Sequence, residues 1–206
     1  MRDLDKALAD ILAIRTQIAA GTAFRGYGPA AMAITGMLAL AVTLLQYALL
    51  DDPNAQPLAF LGGWVVAAAV SVAIIGAEAR ARSLRHHSGL ADAMIYQAIE
   101  QFLPAGTAGA LFTLIILHFA PETLWLLPGL WQVLVSIGIF ASLRTLPRIV
   151  MLVGAWYFVA GFTTLMLGAQ SHALSVWTMG LPFVLGQLLM AGVLHLAAKD
   201  EDDGES

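Results

Sequence analysis

The chain has 206 residues, of which 59% are hydrophobic and 12% are charged, and its formal net charge is −4 at pH 7. A soluble domain carries about 25% charged residues, so this composition excludes an ordinary soluble domain and predicts a membrane protein. The absence of cysteine excludes disulfides, thiolate zinc sites, iron–sulfur clusters and covalently attached haem.

Residues 1–28 predict a cytoplasmic amphipathic helix that is followed by an interfacial turn. Within residues 3–20, Leu4, Leu8 and Ile11 share one face of the helix, with polar residues elsewhere. We expect no secretory signal, because the first apolar run begins only after this polar region.

Six stretches are apolar enough to cross a hydrocarbon core, which takes roughly 20 residues of helix. They cover residues 29–50, 58–78, 103–120, 124–143, 149–169 and 175–198. The third stretch is the shortest, and we expect it to begin near Pro104. The sequence therefore predicts an all-α bundle of six transmembrane helices over residues 29–198, with an acidic cytoplasmic tail at 199–206.

The basic residues predict the orientation of these spans. If the N-terminus is cytoplasmic, all ten Lys and Arg residues lie on the cytoplasmic side, as the positive-inside rule requires. The opposite loops carry Asp51, Asp52, Glu122 and His172 instead. We therefore expect a multi-pass protein of the cell inner (plasma) membrane, with both termini in the cytoplasm.

A second short amphipathic helix is predicted over residues 90–102, within the cytoplasmic loop 79–102. Two interpretations are open for both cytoplasmic helices. They lie on the membrane surface or the bundle, or they form a docking surface for a soluble cytoplasmic protein partner. The basic stretch 80–87 is expected to contact anionic lipid of the bilayer, and we expect no nucleic-acid partner.

An internal repeat is indicated by residues 62–78 and 154–170, which align without a gap and pair Trp64 with Trp156. The third and sixth spans also agree in part. Their matched residues are Gly109 with Gly186, Leu111 with Leu188, Leu117 with Leu194 and His118 with His195. A duplication of three spans gives a 3+3 inverted repeat, a design that recurs in transporters. The alternative is chance similarity among helices rich in Ala, Gly and Leu.

No Asp, Glu, Lys, Arg or His lies in the middle of a predicted span, although buried ionisable groups are the usual functional markers of membrane proteins. The candidates for a solute pathway are therefore uncharged: Gln187, Ser71, Thr163, Thr113 and Ser136. For Ser and Thr, the alternative is a bond to a carbonyl one turn back or to a neighbouring helix. For the glutamine, the alternative is a purely structural role.

Glu78 and His195 are candidates for an inner-face ion pair or gate, because each ends a span on the cytoplasmic side. The alternative is a local pair between Glu78 and Arg82, which lie four residues apart on a helix.

His118, Glu122 and His172 are candidates for a divalent-metal site on the outer side, because imidazole and carboxylate suit zinc or copper. Nothing in their spacing brings them together, so separate residues at headgroup level are the alternative. Pairs of histidines could in principle hold haem, but the partners of His118 and His195 would lie in loops. We predict no cofactor.

The sequence has no nucleophile elbow, phosphate-binding glycine loop or HExxH run, so it does not indicate an enzyme. Small residues spaced four apart, such as Gly63, Ala67 and Ser71, indicate close helix packing and a homodimer. The leading hypothesis is a small permease or channel for a neutral or weakly polar solute. A non-catalytic membrane partner or sensor acting through its cytoplasmic helices, and a haem or metal redox membrane protein, are the alternatives.

Overall fold

The computed structural model describes residues 28–86, 89–144 and 146–204, with the backbone alone for 82–86, 89–99, 144, 198 and 200–204. Six α-helices make up most of this part. They are α1 Pro29–Leu49, α2 Pro57–His86, α3 Gly89–Phe119, α4 Leu127–Ala141, α5 Met151–Ser171 and α6 Val176–Gly204. Short 3-10 helices at Pro121–Leu126, Ser142–Arg144 and Arg148–Val150 flank α4 and α5. The described residues contain no strand, so the all-α prediction is confirmed.

Six segments of the described chain are long and apolar enough to cross a membrane, which confirms the predicted number of spans. They are Pro29–Leu49, Pro57–Ala81, Glu100–Phe119, Pro121–Ala141, Arg148–Ser171 and Val176–Ala197. Each overlaps one predicted span, because the length of an apolar run is a local property that the sequence displays directly.

Three helices extend further than the predicted spans. The helix expected at 90–102 is continuous with the third span, since α3 runs from Gly89 to Phe119 with Pro104 inside it. Proline removes one backbone hydrogen bond, but membrane helices tolerate this loss where other groups satisfy the freed carbonyl. Likewise, α2 continues to His86 and α6 to Gly204. The amphipathic helix predicted at 3–20 lies outside the described residues, as do the side chains of 90–99.

The six helices form a ring in chain order. Each helix packs against its neighbours in sequence, and α1 closes the ring through an extensive contact with α6. The α4–α5 contact is equally extensive, whereas α2 and α3 touch least among the neighbouring pairs. We call this loosely packed boundary the α2–α3 seam.

The outside of the ring is apolar and its interior contains polar groups. Phe119, Val72 and Leu49 are 76%, 70% and 68% exposed. The buried polar residues of the spans are Thr35, Thr43, Gln46, Gln132, Ser136 and Thr164. A bundle surrounded by lipid is expected to have this distribution, because uncharged polar side chains then bond between helices.

The tightest helix pair, α4 with α5, depends on glycines at the crossing point. A Cβ added to Gly161 would lie 3.0 Å from the carbonyl oxygen of Gly129 and 2.7 Å from Cγ2 of Val133. Ser136 on α4 donates a hydrogen bond of 2.8 Å to the carbonyl of Gly154 on α5. The two backbones can approach this closely only because the crossing residues are small.

Asn54 joins two loops at one end of the ring. The Leu174 N–H donates to Asn54 Oδ1 over 2.6 Å, and Asn54 Nδ2 donates to the Leu174 carbonyl over 3.4 Å. The loop between α1 and α2 is thereby tied to the loop between α5 and α6. We call this side the Asn54 end, and the opposite side, where Arg148 precedes α5, the Arg148 end.

Apolar side chains fill the ring in two clusters. One lies toward the Asn54 end and includes Phe60 and Leu127. The other lies toward the Arg148 end and includes Val150 and Val153. Phe183 of α6 packs against both clusters, so the middle of α6 is the point where the two halves of the core meet.

Candidate functional site

A cavity of about 510 Å³ lies behind the α2–α3 seam and extends to the middle of the bundle. We call it the central cavity. Its lining residues are Ala39, Trp64, Val65, Ala67, Ala68, Ser71, Phe102, Ala105, Gly106, Gly109, Ala110, Thr113, Leu114, Trp131, Leu134, Val135, Met179, Phe183 and Gln187. Small-molecule sites typically have volumes of about 300–1,000 Å³ and apolar walls with a few polar groups, and this cavity has both properties.

Small residues create the cavity. The walls that α2 and α3 contribute include Ala68 on one helix and Ala105, Gly106 and Ala110 on the other. A Cβ added to Gly106 would meet nothing within 4 Å, and one added to Gly109 would touch Leu134 of α4 at 3.5 Å. Because these side chains are too short to meet across the seam, the space between the two helices stays open.

Pro182 shapes the α6 wall of the cavity. Proline has no N–H, so the carbonyl of Thr178, one turn earlier, lacks its helical partner. The amide nitrogen of Gln132 on α4 donates to this carbonyl over 2.9 Å, and Thr164 on α5 donates to it over 3.2 Å. The Thr164 hydroxyl also lies 3.2 Å from Gln132 Oε1. This buried group of polar contacts fixes α6 against α4 and α5 just beside the lining residue Met179.

Gln187 is the main polar group of the cavity wall. The Thr35 hydroxyl lies 3.1 Å from Gln187 Oε1 and 2.9 Å from the carbonyl of Met32. The Gln187 side chain also lies beside the Tyr157 hydroxyl, although no hydrogen bond of good geometry joins this hydroxyl to a described residue. Thr35 of α1 therefore holds one side of this amide, and the rest of it borders Tyr157 and the cavity.

The Gln187 amide can present either a donor or an acceptor. The Thr35 hydroxyl has one proton, and giving it to Met32 leaves its oxygen free to accept a bond. A half-turn of the amide would then direct its nitrogen to Thr35 and its oxygen elsewhere. The Tyr157 hydroxyl lies buried beside this amide and makes no hydrogen bond with a described residue. The site can thus bind a hydroxyl, a carbonyl or an amide.

Two further candidates from the sequence line the same cavity. Ser71 on α2 is half-buried, and its hydroxyl makes no hydrogen bond with a described residue. Thr113 on α3 donates to the carbonyl of Gly109 over 2.7 Å and accepts a bond of 2.9 Å from Trp131 Nε1. Of these two hydroxyls, that of Ser71 is the more available to a ligand.

The other two pathway candidates lie elsewhere. Ser136 is fully buried between α4 and α5, where it bonds to Gly154. Thr163 is exposed on α5, a helix that does not line the cavity. The structure thus brings Gln187, Ser71 and Thr113 together and separates them from Ser136 and Thr163.

The gate candidates are not joined. Glu78 is half-buried and His195 is exposed. In the described part of the chain, no hydrogen bond or ion pair connects the two.

The metal candidates are likewise separate. The described residues contain no group of three or more His, Asp or Glu side chains that could hold a metal ion. The His118 ring packs edge-on against Phe119, and the His172 ring against Trp125. Glu122 is exposed in the first turn of a 3-10 helix. Both histidine rings thus pack against aromatic side chains at the Asn54 end.

Sequence reasoning missed several residues that build the site. Thr35, Thr43 and Gln46 recur at helical spacing on α1, a polar stripe that the sequence displays. All three are buried, as is Ala39 between them. Tyr157 was not singled out, because its burial depends on Gly186 of α6, whose missing side chain leaves room for the ring. No local pattern signals such a contact between distant helices.

Comparison with protein-family models, curated proteins and solved structures finds no match to this chain.

Proposed function

We propose that this protein is a small permease that carries a neutral or weakly polar solute across the cell inner membrane. The observation that carries the proposal is the central cavity, which extends to the middle of the bundle and has Gln187 but no charged residue in its wall. Transport needs a binding site at this depth, and an uncharged wall suits an uncharged solute.

The magnitudes favour a neutral solute. Moving an ion from water into an apolar site costs several kcal/mol even after relaxation of the protein. A single hydrogen bond from the Gln187 amide returns only about 1 kcal/mol. An uncharged molecule avoids the free-energy cost of burying an ion and still gains the hydrogen bond to Gln187.

The proposed orientation has both termini in the cytoplasm. Arg80, Arg148 and Lys199 lie at the Arg148 end of the bundle, whereas Asp52 and Glu122 lie at the Asn54 end. This asymmetry agrees with the positive-inside rule if the Arg148 end faces the cytoplasm.

The proposed inverted repeat has support from two prolines. In the pairing that aligns Gly109 with Gly186, Pro182 falls opposite Ala105, next to Pro104. Both prolines lie inside helices. The cavity wall includes Phe102 and Ala105 around Pro104, and Met179 and Phe183 around Pro182. Pro-interrupted spans at corresponding positions of two halves are typical of transporter binding sites.

The two tryptophans that the proposed repeat pairs do not have equivalent hydrogen-bond partners. Trp64 Nε1 donates to Gln46 Oε1 of α1 over 3.0 Å. Trp156 Nε1 donates instead to the carbonyl of Pro182 on α6, also over 3.0 Å. An exact two-fold relation would direct the second tryptophan to α4, so any duplication has diverged at these positions.

Flux into reconstituted vesicles tests the proposal. The purified chain is placed in phosphatidylcholine vesicles, and the uptake of radiolabelled glycerol, xylitol and a short-chain monoacylglycerol is compared with that of lactate, a charged solute. We expect uptake of at least one uncharged solute above that of protein-free vesicles. Replacing Gln187 with Leu should lower this uptake by about tenfold, the equivalent of one hydrogen bond of about 1.4 kcal/mol.

Ser71 and Thr163 provide a matched control. They occupy equivalent positions in the proposed repeat, but only Ser71 lines the cavity. Ser71→Val should reduce uptake and Thr163→Val should leave it unchanged. Uptake no faster than in protein-free vesicles would reject transport, and equal losses in the two variants would reject the cavity as the route.

A further inference from the structure

We propose that the ligand of the central cavity enters sideways from the bilayer through the α2–α3 seam, and that it is an uncharged, lipid-soluble molecule. Such a molecule has an apolar chain and one hydroxyl or carbonyl group, which binds at Gln187. This inference rests on the proposed function for the location of the binding site, and it specifies the ligand class and the route of access.

The cavity wall continues onto the outer surface of the bundle at the seam. Val65 on α2 is 52% exposed, and Leu114 and Phe102 on α3 are 63% and 37% exposed, yet all three line the cavity. A residue can do both only at the rim of an opening. Since the surrounding surface is apolar and the spans match the thickness of a bilayer, this opening faces lipid chains.

The Asn54 end of the ring is filled. Phe60, Leu61 and Leu127 are 0%, 3% and 0% exposed there, and they belong to one apolar cluster with Leu174 and Val176 of the opposite loop and helix. Packed side chains leave few voids larger than a water molecule. A ligand therefore has no open path from this end, whereas the seam is open.

The chemistry of the wall selects against solutes that prefer water. Apart from the Gln187 amide, the polar side chains of the described cavity wall are Ser71, Thr113 and the indoles of Trp64 and Trp131. Thr113 and Trp131 bond to each other, and Trp64 bonds to Gln46. A polar solute loses hydrogen bonds to water on burial, and this wall replaces few of them. A hydrocarbon chain that moves from lipid into this cavity loses no such bonds.

Gln187 determines where the polar group of the ligand lies. It is on the α6 wall, bonded to Thr35 of α1, and is thus on the side of the cavity away from the α2–α3 seam. A molecule that enters hydroxyl first reaches this amide and leaves its chain between Ala68 and Gly106 in the seam. One polar group and a slender chain together match the shape and the polarity of the space.

A photoreactive probe tests the proposal directly. The full chain is reconstituted in phosphatidylcholine vesicles that contain a small fraction of a long-chain fatty alcohol carrying a diazirine, and adducts are mapped by mass spectrometry after illumination. We expect adducts concentrated on residues 65–71 and 105–114, with loss of labelling when unlabelled fatty alcohol competes. Adducts spread evenly over the exposed apolar faces, or labelling without competition, would overturn the proposal.

Two glycines offer a matched pair of variants. An added Cβ meets nothing within 4 Å at either Gly106 or Gly192, but only Gly106 lines the cavity. Gly106→Trp should lower the labelling at the seam by about tenfold or more, because the indole occupies the space of the chain. Gly192→Trp should leave it unchanged, and equal labelling of both variants would contradict the inference. If either variant fails to fold, the position of the adducts in the unaltered chain and their competition by unlabelled fatty alcohol still test the proposal.

The flux experiment separates this inference from the proposed function. Uptake of glycerol or xylitol that Gly106→Trp does not change, with no adducts at the seam, would reject sideways access and retain transport. Competed adducts at the seam, in a chain that carries no solute across vesicles, would retain the ligand site and reject transport.

Discussion

Gln46 and Gln187 have the same side chain and different surroundings. The Gln46 amide accepts a hydrogen bond from Trp64 and donates one of 2.8 Å to the carbonyl of Phe60, so both of its groups are satisfied between α1 and α2. Gln187 bonds to Thr35, lies beside the Tyr157 hydroxyl and borders the cavity. At the scale of single residues, the number of satisfied groups thus distinguishes a structural amide from one that can bind a ligand.

Tyr157 permits a test of this distinction. Its hydroxyl is buried without a hydrogen bond to a described residue, and an unsatisfied buried group costs about 1–3 kcal/mol. We expect Tyr157→Phe to leave the free energy of unfolding unchanged or to raise it by up to about 1 kcal/mol. Unfolding in mixed detergent micelles measures this change.

Thr164→Val is the control for the tyrosine variant. It removes a buried hydroxyl that does bond to Gln132 and Thr178, so we expect a loss of about 1–2 kcal/mol. A comparable loss in Tyr157→Phe would mean that the tyrosine hydroxyl is bonded in the folded protein, and Gln187 is the amide beside it.

At the scale of helices, glycines have opposite roles on α2 and α5. A Cβ on Gly161 of α5 would press against Val133 and Gly129 of α4, whereas a Cβ on Gly62 of α2 would meet nothing within 4 Å. The first glycine permits close packing, and the second lies on an open face. The two glycines therefore contribute differently to the stability of the bundle.

Alanine substitutions should reveal this difference. Gly161→Ala is expected to destabilise the protein by about 1–3 kcal/mol, because overpacking separates α4 from α5. Gly62→Ala should be neutral or stabilising by up to about 1 kcal/mol, since alanine is the better helix former. The free energy of unfolding of both variants is the measurement, and equal effects would contradict the packing described for the α4–α5 pair.

The loop that ends α1 provides a pH-dependent contribution. Asp52 accepts hydrogen bonds from the backbone N–H and side-chain amide of Asn54, over 2.9 Å and 3.0 Å. First the backbone bond and then the side-chain bond hold the pKa of Asp52 below its ordinary value of 3.8. A carboxylate with a lowered pKa adds stability above its ordinary pKa and loses it as the pH falls through the lowered value.

Asp52→Asn should therefore lower the melting temperature at neutral pH, and the difference from the unaltered chain should vanish at a pH well below 3.8. Asp51→Asn removes the same charge from a neighbouring residue that makes no hydrogen bond to a described residue, and serves as the control. Thermal unfolding in detergent from about pH 2 to about pH 7 measures both. A difference between Asp52→Asn and the unaltered chain that persists at low pH would contradict this account.

At the scale of the whole molecule, the proposed orientation is the feature most open to experiment. The chain has no cysteine. Labelling of a single introduced cysteine therefore shows on which side of the membrane that residue lies. Glu122 and Lys199 are both exposed and lie at opposite ends of the bundle. In intact spheroplasts, a membrane-impermeant maleimide should label Glu122→Cys, and should label Lys199→Cys only after the membrane is permeabilised. The reverse pattern would invert the topology.

Sequence alone determined the number of spans, their approximate bounds and the absence of charge from their centres. These properties depend on runs of neighbouring residues, whose length and polarity set the cost of crossing a bilayer. The continuous α3 was not anticipated, because Pro104 looked like a helix start and its tolerance inside a helix depends on the surroundings.

Only the tertiary structure decided which polar residues share a site. Ser71 and Thr163 occupy similar positions in similar sequences, yet Ser71 lines the cavity and Thr163 is exposed. The reason is that α2 borders a loosely packed seam, whereas α5 is pressed against α4. How a helix is rotated and how closely its neighbour approaches depend on contacts between residues far apart in the chain, and periodicity within one helix does not encode them.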